Sequence, residues 1–129
     1  MKKTGSCILL SFLMLCFLSI AANASSPVDT ALNYFQALQQ GDLNTIKDSI
    51  AGEIYRTRKV LLEQNERYPE FLRNIYQGAN FQIKSVAIQD NNAAVTVEVR
   101  FPDRQKVFIL FLNKDDLGNW KIFKETSAP

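Results

Sequence analysis

Residues 78–101 read GANFQIKSVAIQDNNAAVTVEVRF, and within them the hydrophobic period changes from that of a helix to that of a strand. Val95, Val97, Val99 and Phe101 alternate with Thr96, Glu98 and Arg100, so this segment has one apolar and one polar face. On that reading Glu98 and Arg100 form a cross-strand ion-pair ladder on a wet surface. Upstream, Phe81 and Ile83, then Val86 and Ile88, alternate in the same way, and a slip of phase at Ser85 predicts a bulge or bend. Asn91 and Asn92 predict a tight turn between the two runs, because asparagine tolerates positive φ. After Pro102 and Asp103, residues 107–112 are apolar without interruption, as expected of a strand with neighbours on both sides and so of the sheet's centre. Asp115, Asp116, Gly118 and Asn119 then supply a loop, and Trp120, Ile122 and Phe123 a closing strand.

The half before Gly78 reads as helices. Ser26 is placed to cap a first helix, Pro27 suits its first position and Asp29 its positive end. Val28, Ala31, Leu32, Phe35 and Leu38 recur at helical spacing, and Gly41 ends the run. Asp42 caps a short second helix carrying Leu43, Ile46 and Ile50. Over 53–67, Ile54, Tyr55, Arg58, Leu61, Leu62 and Asn65 share one face, an apolar stripe with polar residues inside it that would suit the border of a cavity. In the alternative Arg58 lays its stem on the core with its head in water. Pro69 opens a fourth helix with Phe71, Leu72, Ile75 and Tyr76 on its buried edge. Helices followed by adjacent strands imply an α+β domain, with N-terminal helices packed on one face of a curved, antiparallel, four-stranded meander sheet.

The first 24 residues read as something else. Lys2 and Lys3 precede an apolar run over 8–20, and Ala22, Asn23 and Ala24 offer small residues for cleavage between Ala24 and Ser25. The run is shorter than the roughly 20 residues a membrane span needs, so a cleavable signal is expected, with no span after cleavage and a periplasmic or secreted bacterial destination. Both cysteines, Cys7 and Cys16, fall inside this leader, and the remaining 105 of 129 residues make one domain, 25–129. Lys2 and Lys3 also leave with it, so thirteen basic residues of the 15 balance the 13 acidic ones. Without a basic surplus, nucleic acid is not expected as a partner.

Histidine is absent from the whole chain. Together with the lack of cysteine after the leader, that removes the serine–histidine and cysteine–histidine nucleophiles and the usual zinc and copper sites. No phosphate-binding or dinucleotide loop is present. No catalytic residue, metal ligand or cofactor is assigned from the sequence.

The segment VDTALNYFQALQQGDL (28–43) and the segment GNWKIFK (118–124) resemble the two ends of a nuclear-transport-factor-2-like (NTF2-like) domain, of the kind found in secreted bacterial proteins of unknown function. The resemblance implies a sheet wrapped against helices as a cone, often with an apolar pocket between them and frequently a homodimer through the open sheet face. The superfamily holds isomerases, dehydratases and cyclases as well as binding and assembly modules, so the fold does not choose among them. Tyr34, Tyr55, Tyr76 and Trp120 are the candidate pocket residues, each with an apolar body and a polar tip; the alternative is that they are core aromatics with those tips near the surface. The leading expectation is a non-catalytic exported module that binds an apolar small molecule or an envelope protein. The rival is an isomerase, dehydratase or cyclase that pairs a buried carboxylate with a tyrosine donor.

Overall fold

The computed structural model describes residues 25–128. Four helices, α1 Pro27–Gln40, α2 Leu43–Ser49, α3 Gly52–Gln64 and α4 Tyr68–Ile75, are followed by four strands, β1 Asn80–Gln89, β2 Asn92–Arg100, β3 Gln105–Lys114 and β4 Trp120–Ala128. The expected leader and its cleavage point at Ala24 lie outside the described residues, which begin at Ser25. Among the described residues no helix is long and apolar enough to cross a membrane.

The α1 boundaries follow from their end residues. Ser26 Oγ accepts from the Asp29 N–H at 3.1 Å while an Asp29 carboxylate oxygen accepts from the Ser26 N–H at 3.4 Å, a reciprocal cap that satisfies two otherwise orphaned donors. At the other end Gly41 adopts φ 68°, and its N–H returns to the Ala37 and Leu38 carbonyls. Asp42 caps α2 through Thr45, whose hydroxyl and N–H hold the Asp42 carboxyl below the usual carboxylate range.

The strands form an antiparallel meander in the order β1-β2-β3-β4, so β2 and β3 share the interior position expected of residues 107–112. The expected irregularity near Ser85 is present: Ile83 pairs with Val97 and Ser85 with Thr96, leaving Lys84 as the extra residue. The β1–β2 turn sits one residue earlier than the sequence suggests. Gln89 closes the ladder opposite Asn92, and Asp90 takes the positive φ of 54°. A second bulge, in β4, leaves Phe123 unpaired, because Leu112 faces Ile122 while Phe111 faces Lys124.

Val95, Val97, Val99, Leu110, Leu112 and Ile122 carpet the inner face and are fully buried. α1 lies against them. The Phe35 ring packs 5.3 Å from Phe81 and 5.6 Å from Phe108, so aromatic side chains fill the middle of the space between helices and sheet. Glu98 points to the opposite face, as its alternation requires, and does pair with Lys84 and Arg100, at 3.2 and 3.1 Å. The wet surface does not hold for it. Its side chain is only 3% exposed, because the two long cationic side chains fold over it rather than because core atoms surround it. The Arg100 hydrogen bond, with the Lys84 bond and the positive charge of both, outweighs the desolvation and holds the Glu98 carboxyl below its ordinary range.

Candidate functional site

One cluster of polar side chains lies between helices and sheet, and three elements assemble it. Tyr34 projects from the middle of α1, Arg58 from the face of α3 that its stripe already marks, and Glu125 from β4. Tyr34 Oη donates to Glu125 Oε2 at 3.2 Å, and Arg58 Nη2 donates to the same oxygen at 3.1 Å. Arg58 Nη1 donates to Tyr68 Oη at 2.9 Å, which ties the first turn of α4 into the network. The guanidinium carbon also stands 5.9 Å from the centre of the Tyr34 ring, within cation–π range. The Arg58 and Glu125 side chains are 22% and 13% exposed, so the pair is sheltered and still reachable.

The environment sets the protonation of its neighbours. Burial, reinforced by the Glu125 charge and partly offset by Arg58, pushes the Tyr34 phenol far above its ordinary value. The same causes, in the same order, push Tyr76 up to about 12. Both remain phenols at neutral pH. Burial works against the Arg58 cation, but the surrounding Tyr34, Glu125, Tyr68 and Tyr76 oxygens prevail and hold it more firmly protonated than a free arginine. The site therefore offers a fixed cation, a carboxylate, and phenol donors.

Above the cluster a groove of about 380 Å³ opens between α3 and β4, lined by Glu53, Ile54, Thr57, Arg58, Lys124 and Glu125. Among the described residues Glu125 Oε1 takes no hydrogen bond, whereas Oε2 takes two. No group of three acidic side chains close enough to hold a metal ion occurs among the described residues.

Of the four residues proposed from sequence, the structure brings Tyr34 and Tyr76 to this cluster. Tyr55, on α3, directs its hydroxyl to Glu63 at 3.4 Å on the exterior. Trp120 is buried at the start of β4, in a different hollow lined also by Ser25 and Asn33. Arg58 was visible as a polar residue inside an apolar stripe; its head is paired rather than free in water. Glu125 and Tyr68 were not singled out. Trp120 and Ile122 set a period of two that sends Lys124 inward, and only the bulge at Phe123 reverses this and turns Glu125 to the interior.

A Campylobacter jejuni protein provisionally named an NTF2-like transpeptidase superposes on this chain with a TM-score of 0.60, over 78% of this chain and 99% of its own, at 22% identity. The chain has the NTF2-like fold. An NTF2-like protein of unknown function from Silicibacter pomeroyi matches 86% of this chain and 97% of its own, at a TM-score of 0.59 and 16% identity. A Shewanella frigidimarina protein provisionally named a ketosteroid isomerase matches 82% and 98%, at 0.58 and 18%. At such identities the likeness concerns the NTF2-like architecture and not the chemistry of any one member. No protein-family model and no curated protein matches the sequence.

Proposed function

We propose that this chain is a small exported binding module without catalysis of its own, and that its ligand occupies the groove between α3 and β4 above Arg58 and Glu125. The observation that carries this reading is the double commitment of Glu125 Oε2 to Tyr34 and Arg58. Both donors hold Oε2 and so fix the carboxylate beside the Arg58 cation while leaving Oε1 as an open acceptor, and the described residues include no histidine or cysteine that could carry a proton onward in an acid–base cycle. The arrangement suits recognition: a small molecule would lay its apolar body along Ile54 and turn a polar end toward Arg58 and the free Oε1.

A thermal-shift screen of small cyclic ketones and carboxylic acids tests this. The expected outcome is a ligand that raises the melting temperature of the wild-type chain in a concentration-dependent way, as binding to the folded state alone must, and that does so much less with Glu125→Gln. A second reading, an isomerase-type enzyme, is favoured by one feature, the protonated Tyr34 phenol bonded to a carboxylate. It predicts deuterium uptake next to the carbonyl of a cyclic ketone in heavy water. Uptake that vanishes in Glu125→Gln would replace the binding reading with the enzymatic one.

A further inference from the structure

β1 lies at one edge of the sheet, with β2 as its single strand neighbour among the described residues. Which of its backbone groups face outward follows from the ladder. The Lys114 N–H donates to the Asn91 carbonyl at 2.8 Å, so that carbonyl points to β3. The N–H on the other side of the same planar trans peptide, that of Asn92, points to β1. Backbone direction alternates along a strand, so Asn92 and Ala94 exchange hydrogen bonds with their register partners Gln89 and Ala87. Val86 and Ile88 therefore turn their N–H and C=O away from β2, toward the open edge. Their side chains stand on the helix side of the sheet, opposite Val95 and Ala93, yet are 39% and 58% exposed, so the helices leave this end of the strand uncovered.

Sheets guard such edges with charge, proline or a bulge. Here the guard is the bulged Lys84, and it stops short: Ser85, Val86, Ala87, Ile88 and Gln89 follow with no charge, proline or further bulge. Outward backbone groups at strand spacing are satisfied by an extended chain rather than by a small molecule. The segment is also its own complement. Read in either direction from Ala87 it is aliphatic at 86 and 88, polar and neutral at 85 and 89, and oppositely charged at 84 and 90. In a two-fold antiparallel pairing about Ala87, Val86 faces Ile88 of the second copy. Both present outward backbone groups, so each such pair exchanges two hydrogen bonds. Lys84, whose side chain is still half exposed beside Glu98, comes level with the exposed Asp90 of the second copy. The two aliphatic pairs lie side by side on the helix side of the joined sheet and shed water together.

We infer that two copies of this chain dimerise by pairing β1 with β1 in that register, which extends the meander into one continuous sheet across both. This differs from a dimer through the open sheet face, and it does not depend on the function proposed for the Arg58 groove. Ala87 then meets its own copy across a pair without hydrogen bonds, at a Cα separation of about 4.5 Å, within reach of a disulfide. Cys7 and Cys16 are the chain's only cysteines, so the domain 25–129 has none and a single introduced cysteine reports one contact. Gln89 is on the same face as Ala87 and also exposed, but in this register it is displaced from its own copy by four residues, roughly 13 Å along the strand. Sedimentation velocity of the domain at about 100 µM, a concentration that reveals even weak specific association, is expected to show a dimer. Under mild oxidation Ala87→Cys is expected to form a disulfide-linked dimer about tenfold or more faster than Gln89→Cys. Both positions are exposed, so both variants keep the fold. A monomer at that concentration, or equal rates for the two cysteine variants, would overturn the assignment.

Discussion

Arg58 and Glu125 stand 3.1 Å apart with most of each side chain withdrawn from water, so each makes the other tolerable. Removing one partner strands the other charge, a loss of about 3–5 kcal/mol, whereas replacing both by apolar residues of similar size is often neutral. Arg58→Met is therefore expected to lower stability by about 3–5 kcal/mol in chemical denaturation, and Arg58→Met/Glu125→Met to recover most of it. Equal destabilisation by the single and double variants would show that the two do not act as a pair. The phenols add a pH dependence. In the unfolded chain Tyr76 loses its proton near the ordinary value of about 10, but in the folded chain only near about 12. Between those values the folded state binds more protons, so stability is intact below pH 10 and falls as pH rises toward 12. Tyr34 acts in the same direction. Denaturation midpoints across this range should decline less steeply in Tyr76→Phe; equal slopes would mean the burial of Tyr76 does not control them.

At the scale of elements, helix ends and bulges decide what reaches the site. Gly41 is where α1 stops and where the start of α4 comes close: a Cβ there would lie 2.7 Å from the Pro69 carbonyl oxygen. Gly118, in the β3–β4 connection, also has positive φ, but no atom lies within 4 Å of where its Cβ would stand. Gly118→Ala should cost about 1–2 kcal/mol, the left-handed backbone penalty alone, and Gly41→Ala clearly more, because it also forces α1 and α4 apart. Similar melting temperatures for the two variants would contradict that packing. The same devices govern what could be read in advance. Ser26, Pro27 and Gly41 act through chemistry local to the chain, so the bounds of α1 were legible, as were the alternation of β2 and the slip at Ser85. The β1–β2 turn was misplaced by one residue because Asp90 and Asn91 tolerate positive φ equally well, and the ladder between strands chose Asp90. Glu125 stayed hidden for a related reason. The Phe123 bulge is fixed by pairing with β3, and no residue in 120–125 announces it.

For the whole molecule, the meander with helices on one face follows from the order of the elements, since four helical segments precede four strands joined by short turns. The occupancy of the space between the layers does not follow, because it depends on how α1 sits. Phe35 lies against Phe81 and Phe108 and fills the middle of the cone, so the accessible opening moves to the seam between α3 and β4 and becomes charged rather than apolar. The opposite sheet face carries a separate hollow of about 470 Å³, where small Ala87 and Ala94 lie beside Phe111 and Phe123. The central claim is that the α3–β4 groove holds a small ligand. Native mass spectrometry of the chain recovered gently from a bacterial periplasm tests it most directly, beside Glu125→Gln, which keeps an oxygen for Tyr34 and Arg58. The expected spectrum shows a domain beginning at Ser25 with a stoichiometric extra mass that is shed on denaturation and is absent or much reduced in the variant. A bare wild-type domain, or an extra mass retained equally by Glu125→Gln, would contradict it.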